Sequence, residues 1–178
     1  MKLGLKNDEV RLETYDPEWK QEFERVKQTI MKFTGLSQNR IEHIGSTAVE
    51  GISSKPVIDI LIGVDDLEQV EKQLIDGLKQ AGFLRLKVKR PGEIVLAKFL
   101  DESYDEKTHY IHLTDYHSEL WKNLIFFRDY LNANEYEKEK YEKLKLDYVK
   151  RSSTGIIEYT DFKERFVLEV FMKRSEEE

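Results

Sequence analysis

The chain reads as an α+β protein, a mixed β-sheet covered by helices with a further helical layer at the C-terminal end. Two patterns carry this expectation. Strand-like apolar runs alternate with helical spacing as far as Asp115, after which only helical spacing recurs. One run, Val57 to Val64, is apolar on both sides of an alternating strand, as a central strand of a covered sheet must be.

The first helix starts at Asp16-Pro17, where proline fits the first turn. Trp19, Phe23, Val26, Ile30 and Phe33 then form one apolar stripe until Gly35 ends it. Arg40 to Ile44 is a short strand candidate, followed by a turn-rich connection from Gly45 to Pro56 and by the Val57 to Val64 strand. Asp65, with Glu68 three residues on, predicts a capped helix lined by Leu67, Val70, Leu74 and Leu78 and closed at Gly82. Phe83 to Val88 and Ile94 to Leu100 flank Arg90-Pro91-Gly92 and form a predicted hairpin. Tyr110 to Thr114 is a further strand. Leu120, Leu124, Phe127 and Leu131, then Tyr141, Leu144 and Tyr148, then Tyr159, Phe162, Phe166 and Val170 predict three helices. The expected organisation is one domain over residues 1–178, with a sheet-containing part at about 10–115 and a helical part at about 116–174 that packs against the sheet.

Bulk composition narrows the function classes. Lysine and arginine number 29 against 35 aspartates and glutamates, a net charge of -6, so no global field attracts nucleic acid or an anionic membrane. Any anion site is local, and nucleic acid is a disfavoured partner. No cysteine is present, which excludes disulfides and thiol catalysis. The N-terminal residues lack the apolar core of a signal peptide, and no run approaches the ~18 apolar residues of a membrane span, so the expected location is cytoplasmic and no membrane partner is expected. No feature sets an oligomeric state.

His43 to Ile62 is the expected functional segment. Gly45-Ser46-Thr47 lies between a strand and a short turn, where backbone N–H groups and two hydroxyls can converge on phosphate; an ordinary capped loop has the same composition. On the following strand Ile58, Ile60 and Ile62 share one face, and Val57, Asp59 and Leu61 the other. An ionised carboxylate among apolar neighbours costs several kcal/mol unless it is hydrogen-bonded, paired or bound to a cation, so Asp59 is either a site residue or half of a structural ion pair.

His43-Ile44-Gly45-Ser46-Thr47-Ala48-Val49 together with Lys55-Pro56-Val57-Ile58-Asp59-Ile60 closely resembles the GrpB (UPF0157-type) family, a group within the nucleotidyltransferase superfamily whose founding fold is that of DNA polymerase β. Tyr15-Asp16-Pro17, Thr108 to Leu113, Phe127 to Leu131, Tyr141 to Lys145 and Tyr159 to Lys163 are similar to further blocks of that family in the same order. The resemblance implies a nucleotidyltransferase-like sheet and a cytoplasmic protein that binds a nucleotide or another phosphate-containing small molecule. A similar domain stands behind dephospho-CoA kinase in some bacteria, which implies a nucleotide or coenzyme context.

In active members of the superfamily the Gly-Ser turn holds the triphosphate, and a pair of carboxylates on the next strand holds Mg2+. The resemblance therefore implies a catalytic and metal-binding role for Asp59, with Mg2+ or another divalent cation as cofactor. The second carboxylate would fall at position 61, which is Leu61. His112 is the candidate to complete the metal site. His109 lies three residues earlier and points to the opposite face of a regular strand. Lys55, Arg128, Lys145 and Lys163 are the candidate phosphate-binding cations, with Tyr159 one helical turn from Lys163; the alternative for each cation is solvation or pairing. Tyr136, Tyr141 and Tyr148 read as packing between helices. Two functions follow from this set: a metal-dependent nucleotidyltransferase, or a non-catalytic nucleotide- or coenzyme-binding regulatory module with a degenerate metal site.

Overall fold

The computed structural model describes residues 1–177 and the side chains as far as Ser175. Six strands, β1 (Leu5–Lys6), β2 (Ile41–Ile44), β3 (Ile58–Val64), β4 (Leu84–Arg85), β5 (Ile94–Phe99) and β6 (Glu106–Asp115), form one sheet. Its order is β2-β3-β6-β5-β4, with β1 paired antiparallel to the start of β6 through Leu5 and Lys107. Only β3 and β6 run parallel; the other pairs are antiparallel, so the sheet is mixed as expected. Five α-helices accompany it: α1 (Glu18–Thr34), α2 (Lys72–Gln80), α3 (Glu119–Ala133), α4 (Glu135–Val149) and α5 (Ile156–Glu177).

Alternation along the strands sends two sets of residues to two different covers. Ile41, Ile58, Ile60, Ile62, Leu96, Ile111 and Leu113 share one face and pack against Trp19, Phe23, Val26 and Ile30 of α1 and Leu78 of α2. Each fully buried aliphatic or aromatic side chain here contributes roughly 1.5–3 kcal/mol of burial. On the opposite face Ile44 and Leu61 meet Trp121 of α3 in a smaller cluster. A Cβ at Gly63 would lie 2.5 Å from the Tyr116 ring and 2.9 Å from that of Trp121, so the missing side chain admits these aromatics onto the sheet. Phe127, Leu131, Tyr141, Phe166 and Val170 make a third cluster among α3, α4 and α5, joined by Val49 and Ile52 of the β2–β3 connection. The C-terminal helices therefore reach the sheet mainly through α3, while the larger apolar face belongs to α1 and α2.

Three boundaries differ from expectation. The helix read from Asp65 begins later. Asp66 rather than Asp65 accepts the N–H of Glu68, at 2.9 Å, in a 3-10 turn over Leu67–Gln69. Val70 then turns extended, and α2 starts at Lys72. Asp115 accepts the N–H of Leu67 at 2.6 Å and ties that turn to the end of β6. β4 is cut to two residues because Lys87, Lys89 and Arg90 lie in an exposed stretch with little to bury. β6 begins at Glu106, four residues early, because β1 offers it a second edge; two residues are too few to show a period in sequence.

Candidate functional site

Asp59 is the second residue of β3, on the face turned away from α1 and α2. Its partners across the sheet are Ile44 on β2 and Tyr110 on β6. Gly45 follows β2 with φ +72, a left-handed conformation, and a Cβ there would sit 2.6 Å from Oδ2 of Asp59. Glycine at 45 thus serves both the turn and the close approach of backbone to carboxylate.

The other oxygen of Asp59, Oδ1, lies 3.2 Å from His112 Nε2, and His112 Nδ1 lies 2.8 Å from Oε2 of Glu93. The three side chains form a carboxylate–imidazole–carboxylate chain across β3, β6 and the entry to β5. Exposure falls along it, from 31% of the Asp59 side chain to 15% for His112 and 9% for Glu93, so Asp59 is the end that meets solvent. Burial works against a charge on His112, but the hydrogen bonds to Asp59 and Glu93 outweigh it and raise the ring to about 9. Burial likewise opposes the charge on both carboxylates, and His112 overcomes it, holding each below its ordinary range. His109 faces the other way. Its Nε2 lies 3.1 Å from Glu22 on α1, and burial pushes it down to about 4.

Three lysines lie near one another, and the charge of Asp59 acts on two of them, Lys55 and Lys163. Lys55, in the β2–β3 connection, and Lys163, on α5, lie over the same Tyr159 ring, their ammonium groups 5.4 and 4.2 Å from its centre. Among the described residues neither makes an ion pair or a hydrogen bond. Burial lowers Lys55 to about 8, with Lys163 pushing in the same direction, and burial lowers Lys163 to about 8 against the pull of Asp59. Lys145 on α4 is completely buried, lies 4.7 Å from the centre of the Tyr141 ring and donates to the Ser53 carbonyl at 2.6 Å. Burial, and then the charge of Lys163, force it well down. Tyr141 and Tyr159 are pushed up by burial, Tyr141 to about 12, so both remain neutral.

The remaining expected residues are taken up in holding the turn. Ser46 donates to the Tyr141 hydroxyl at 3.3 Å, and the buried Thr47 hydroxyl meets His43 Nε2 at 2.9 Å. Arg128 donates from Nη1 to Glu42 at 2.7 Å and to the His43 carbonyl at 2.9 Å, and from Nε to Asp129. It clamps the end of β2 rather than facing the cleft. Tyr141 packs between helices against Phe127 and Phe166, and Tyr148 packs against Tyr159. Tyr136 is exposed. Glu93 is the member that sequence reasoning missed. The signal was its place two residues before Val95, the cross-strand partner of His112, which puts Glu93 on the same sheet face.

As a metal site the donor set is short. Among the described residues no group of three or more histidines and carboxylates gathers as a cation cage. Asp59 is the side chain that could hold a divalent ion. His112, expected beside it as a ligand, turns each ring nitrogen to a carboxylate oxygen and so leaves no lone pair for a cation. A hard cation takes about six oxygen-type ligands. Most of them would have to come from phosphate and water.

The fold and this cleft define an α+β protein whose mixed sheet carries a buried apolar face and, on its other side, a polar site facing a helical layer. The family model described as GrpB protein matches residues 9–173, and the chain belongs to the GrpB family. It is 40% identical over 169 residues to the glutamate-rich protein GrpB of Alkalihalophilus pseudofirmus, covering 94% of this chain and 97% of that protein. The crystal structure of GrpB from Enterococcus faecalis matches with a TM-score of 0.77 at 26% identity, over 92% of this chain and 99% of that one. A dephospho-CoA kinase of Mycobacterium tuberculosis is 29% identical over 185 residues, and the match spans 92% of this chain but 45% of the kinase. Among the described residues no helix is long and apolar enough to cross a membrane.

Proposed function

We propose that this protein binds a nucleotide or a related phosphate ester, in the manner of a nucleotidyltransferase, in the cleft between Asp59 and the lysines of the helical layer. One observation carries the reading. Lys55 and Lys163 are half-buried against one tyrosine ring, and among the described residues no carboxylate is paired to either. Burying an ammonium costs several kcal/mol unless an anion offsets it, and no anion among the described residues does so fully. A phosphate group supplies the missing charge. Its place beside Gly45 and Asp59 agrees with the resemblance of the Gly-Ser turn and the following Asp strand to the nucleotidyltransferase pattern.

Nucleotidyl transfer forms a bond from the acceptor oxygen to the α-phosphorus and breaks the bond to pyrophosphate. In this reading Lys55 and Lys163 carry the charge of the departing phosphates, and the proton of the acceptor hydroxyl leaves to water. Asp59, oriented by His112, would be the residue to hold a divalent cation, which would supply further charge neutralisation. The dephospho-CoA kinase relative makes coenzyme A precursors worth including among candidate ligands.

A second reading, a binding module without transfer activity, is favoured by Leu61. This residue occupies the position of the second carboxylate and is completely buried, in one cluster with Trp121 and Ile44. Thermal unfolding with nucleoside triphosphates and coenzyme A precursors, with and without Mg2+, distinguishes the two. Metal-dependent stabilisation that Asp59→Asn abolishes supports transfer, and metal-independent stabilisation that survives it supports the module. No shift with any ligand at millimolar concentration defeats both.

A further inference from the structure

We infer that Glu93 is a positioning residue of the Asp59 site, holding the His112 ring so that Nε2 is directed at Asp59 and at whatever binds there. The inference rests on the reading of the Asp59 cleft as the ligand site and adds a residue to it.

The placement is built. The chain leaves the Arg90-Pro91-Gly92 turn through Gly92, at φ +72, and the Gly92 carbonyl accepts a hydrogen bond from the Thr114 hydroxyl at 2.7 Å. Thr114 is itself buried and lies two residues beyond His112 on the same face of β6. The turn is thereby pinned to the strand that carries the histidine, and Glu93 enters the sheet with its carboxylate beneath the ring. Arg90 approaches the free oxygen of Glu93 at 3.4 Å from the solvent side.

Geometry fixes the protons. Both ring nitrogens of His112 face carboxylate oxygens, and an ionised carboxylate only accepts, so each nitrogen donates. With Glu93 accepting from Nδ1, the Nε2 edge is the one presented to Asp59. This also answers the gap at Leu61. The second carboxylate of the site comes from the start of β5 and acts through the imidazole, whereas a second carboxylate on β3 would have to lie under Trp121.

The test reads proton position directly. In protein labelled with 15N-histidine at pH 7, wild-type His112 is expected to show both ring nitrogens protonated. Glu93→Ala, which leaves Nδ1 without an acceptor, is expected to abolish the hydrogen-bond signature of Nδ1 and to loosen the orientation of the ring, while Nε2 keeps its proton facing Asp59. Glu93→Gln keeps an acceptor of the same shape and is expected to keep the proton on Nδ1, which separates loss of positioning from loss of packing. Where the wild type binds MgATP, Glu93→Ala is expected to weaken it roughly 10- to 100-fold, as loss of an orienting partner typically does, and Glu93→Gln to weaken it less. A bare Nδ1 in the wild type, or a His112 signature unchanged by Glu93→Ala, overturns the inference. The nitrogen spectra need no ligand, so failure of nucleotide binding counts against the proposed function alone.

Discussion

Replacing Lys163 by methionine should stabilise the ligand-free protein at pH 7 and at the same time remove its response to polyphosphate. The two effects share one cause. An ammonium moved from an ordinary 10.5 to about 8 has its charged form disfavoured by about 3 kcal/mol, and solvent screening of this partly exposed side chain reduces the recoverable part to roughly 1–3 kcal/mol. Methionine keeps the stem against Tyr159 and discards the charge, and it relieves Lys55 of its nearest repulsion. For a chain of this length each kcal/mol moves the unfolding temperature by roughly 2–4 °C, so a rise of about 2–12 °C is expected. The gain has a defined pH window. A lysine whose folded value is depressed destabilises the fold fully below about 8, and that penalty fades as pH rises towards 10.5, so the advantage of the variant should shrink across that interval. Wild type with inorganic triphosphate at 100 times its dissociation constant should gain about 2.7 kcal/mol, and the variant little. The assay is thermal unfolding at pH 7 and pH 9.5, with and without triphosphate. A variant that unfolds earlier at pH 7 and keeps the full triphosphate shift would refute the account of the cleft as an anion site.

Gly45→Ala should cost about 2–4 kcal/mol in urea unfolding, because a left-handed backbone and a Cβ 2.6 Å from Asp59 Oδ2 act together; a cost under 1 kcal/mol would mean that the turn relaxes freely. Leu61→Asp, which restores the strand carboxylate pattern, should destabilise by about 3–5 kcal/mol rather than create a cation site, since the new charge lies under Trp121. Calorimetry with and without Mn2+ checks this, and a metal-stabilised variant would contradict it. His43 and His109 are both held near 4 by burial, so the folded chain resists protons that the unfolded chain takes up near 6.5. Their contribution, up to about 3 kcal/mol each, is complete above pH 6.5 and is lost as pH falls towards 4. His109→Gln should remove about half of that slope in denaturant titrations, and an unchanged slope would place the acid sensitivity elsewhere.

Much of the layout was legible because period and punctuation agreed. Trp19 to Ile30 formed a single stripe that became the cover of the sheet, and the alternation of Ile58, Asp59, Ile60 and Leu61 separated core from cleft. The three-residue spacing of His109 and His112 likewise placed them on opposite faces. What stayed hidden depended on contacts distant in sequence. Nothing near Arg128 announces that its partner is Glu42, 86 residues away. Glu93 sits beside a turn, where a glutamate is the usual solvent-facing choice, and only the register of β5 against β6 brings it under His112. Lys145 reads as one more charge on a charged helix, yet it is buried over Tyr141, because the helix packs on the β2–β3 connection and not on solvent.

The cleft lies on a seam. Asp59, His112 and Glu93 are carried by the sheet, whose core is shared with α1 and α2, whereas Lys145 and Lys163 ride on helices that pack around a separate cluster. The N-terminal segment crosses this seam, pairing Leu5 with β6 while Val10 donates to the Ser153 carbonyl between α4 and α5. A ligand that touched Asp59 and Lys163 together would act as a rivet between two cores. Hydrogen exchange would record this as protection spreading into α4 and α5, far from any atom that the ligand contacts.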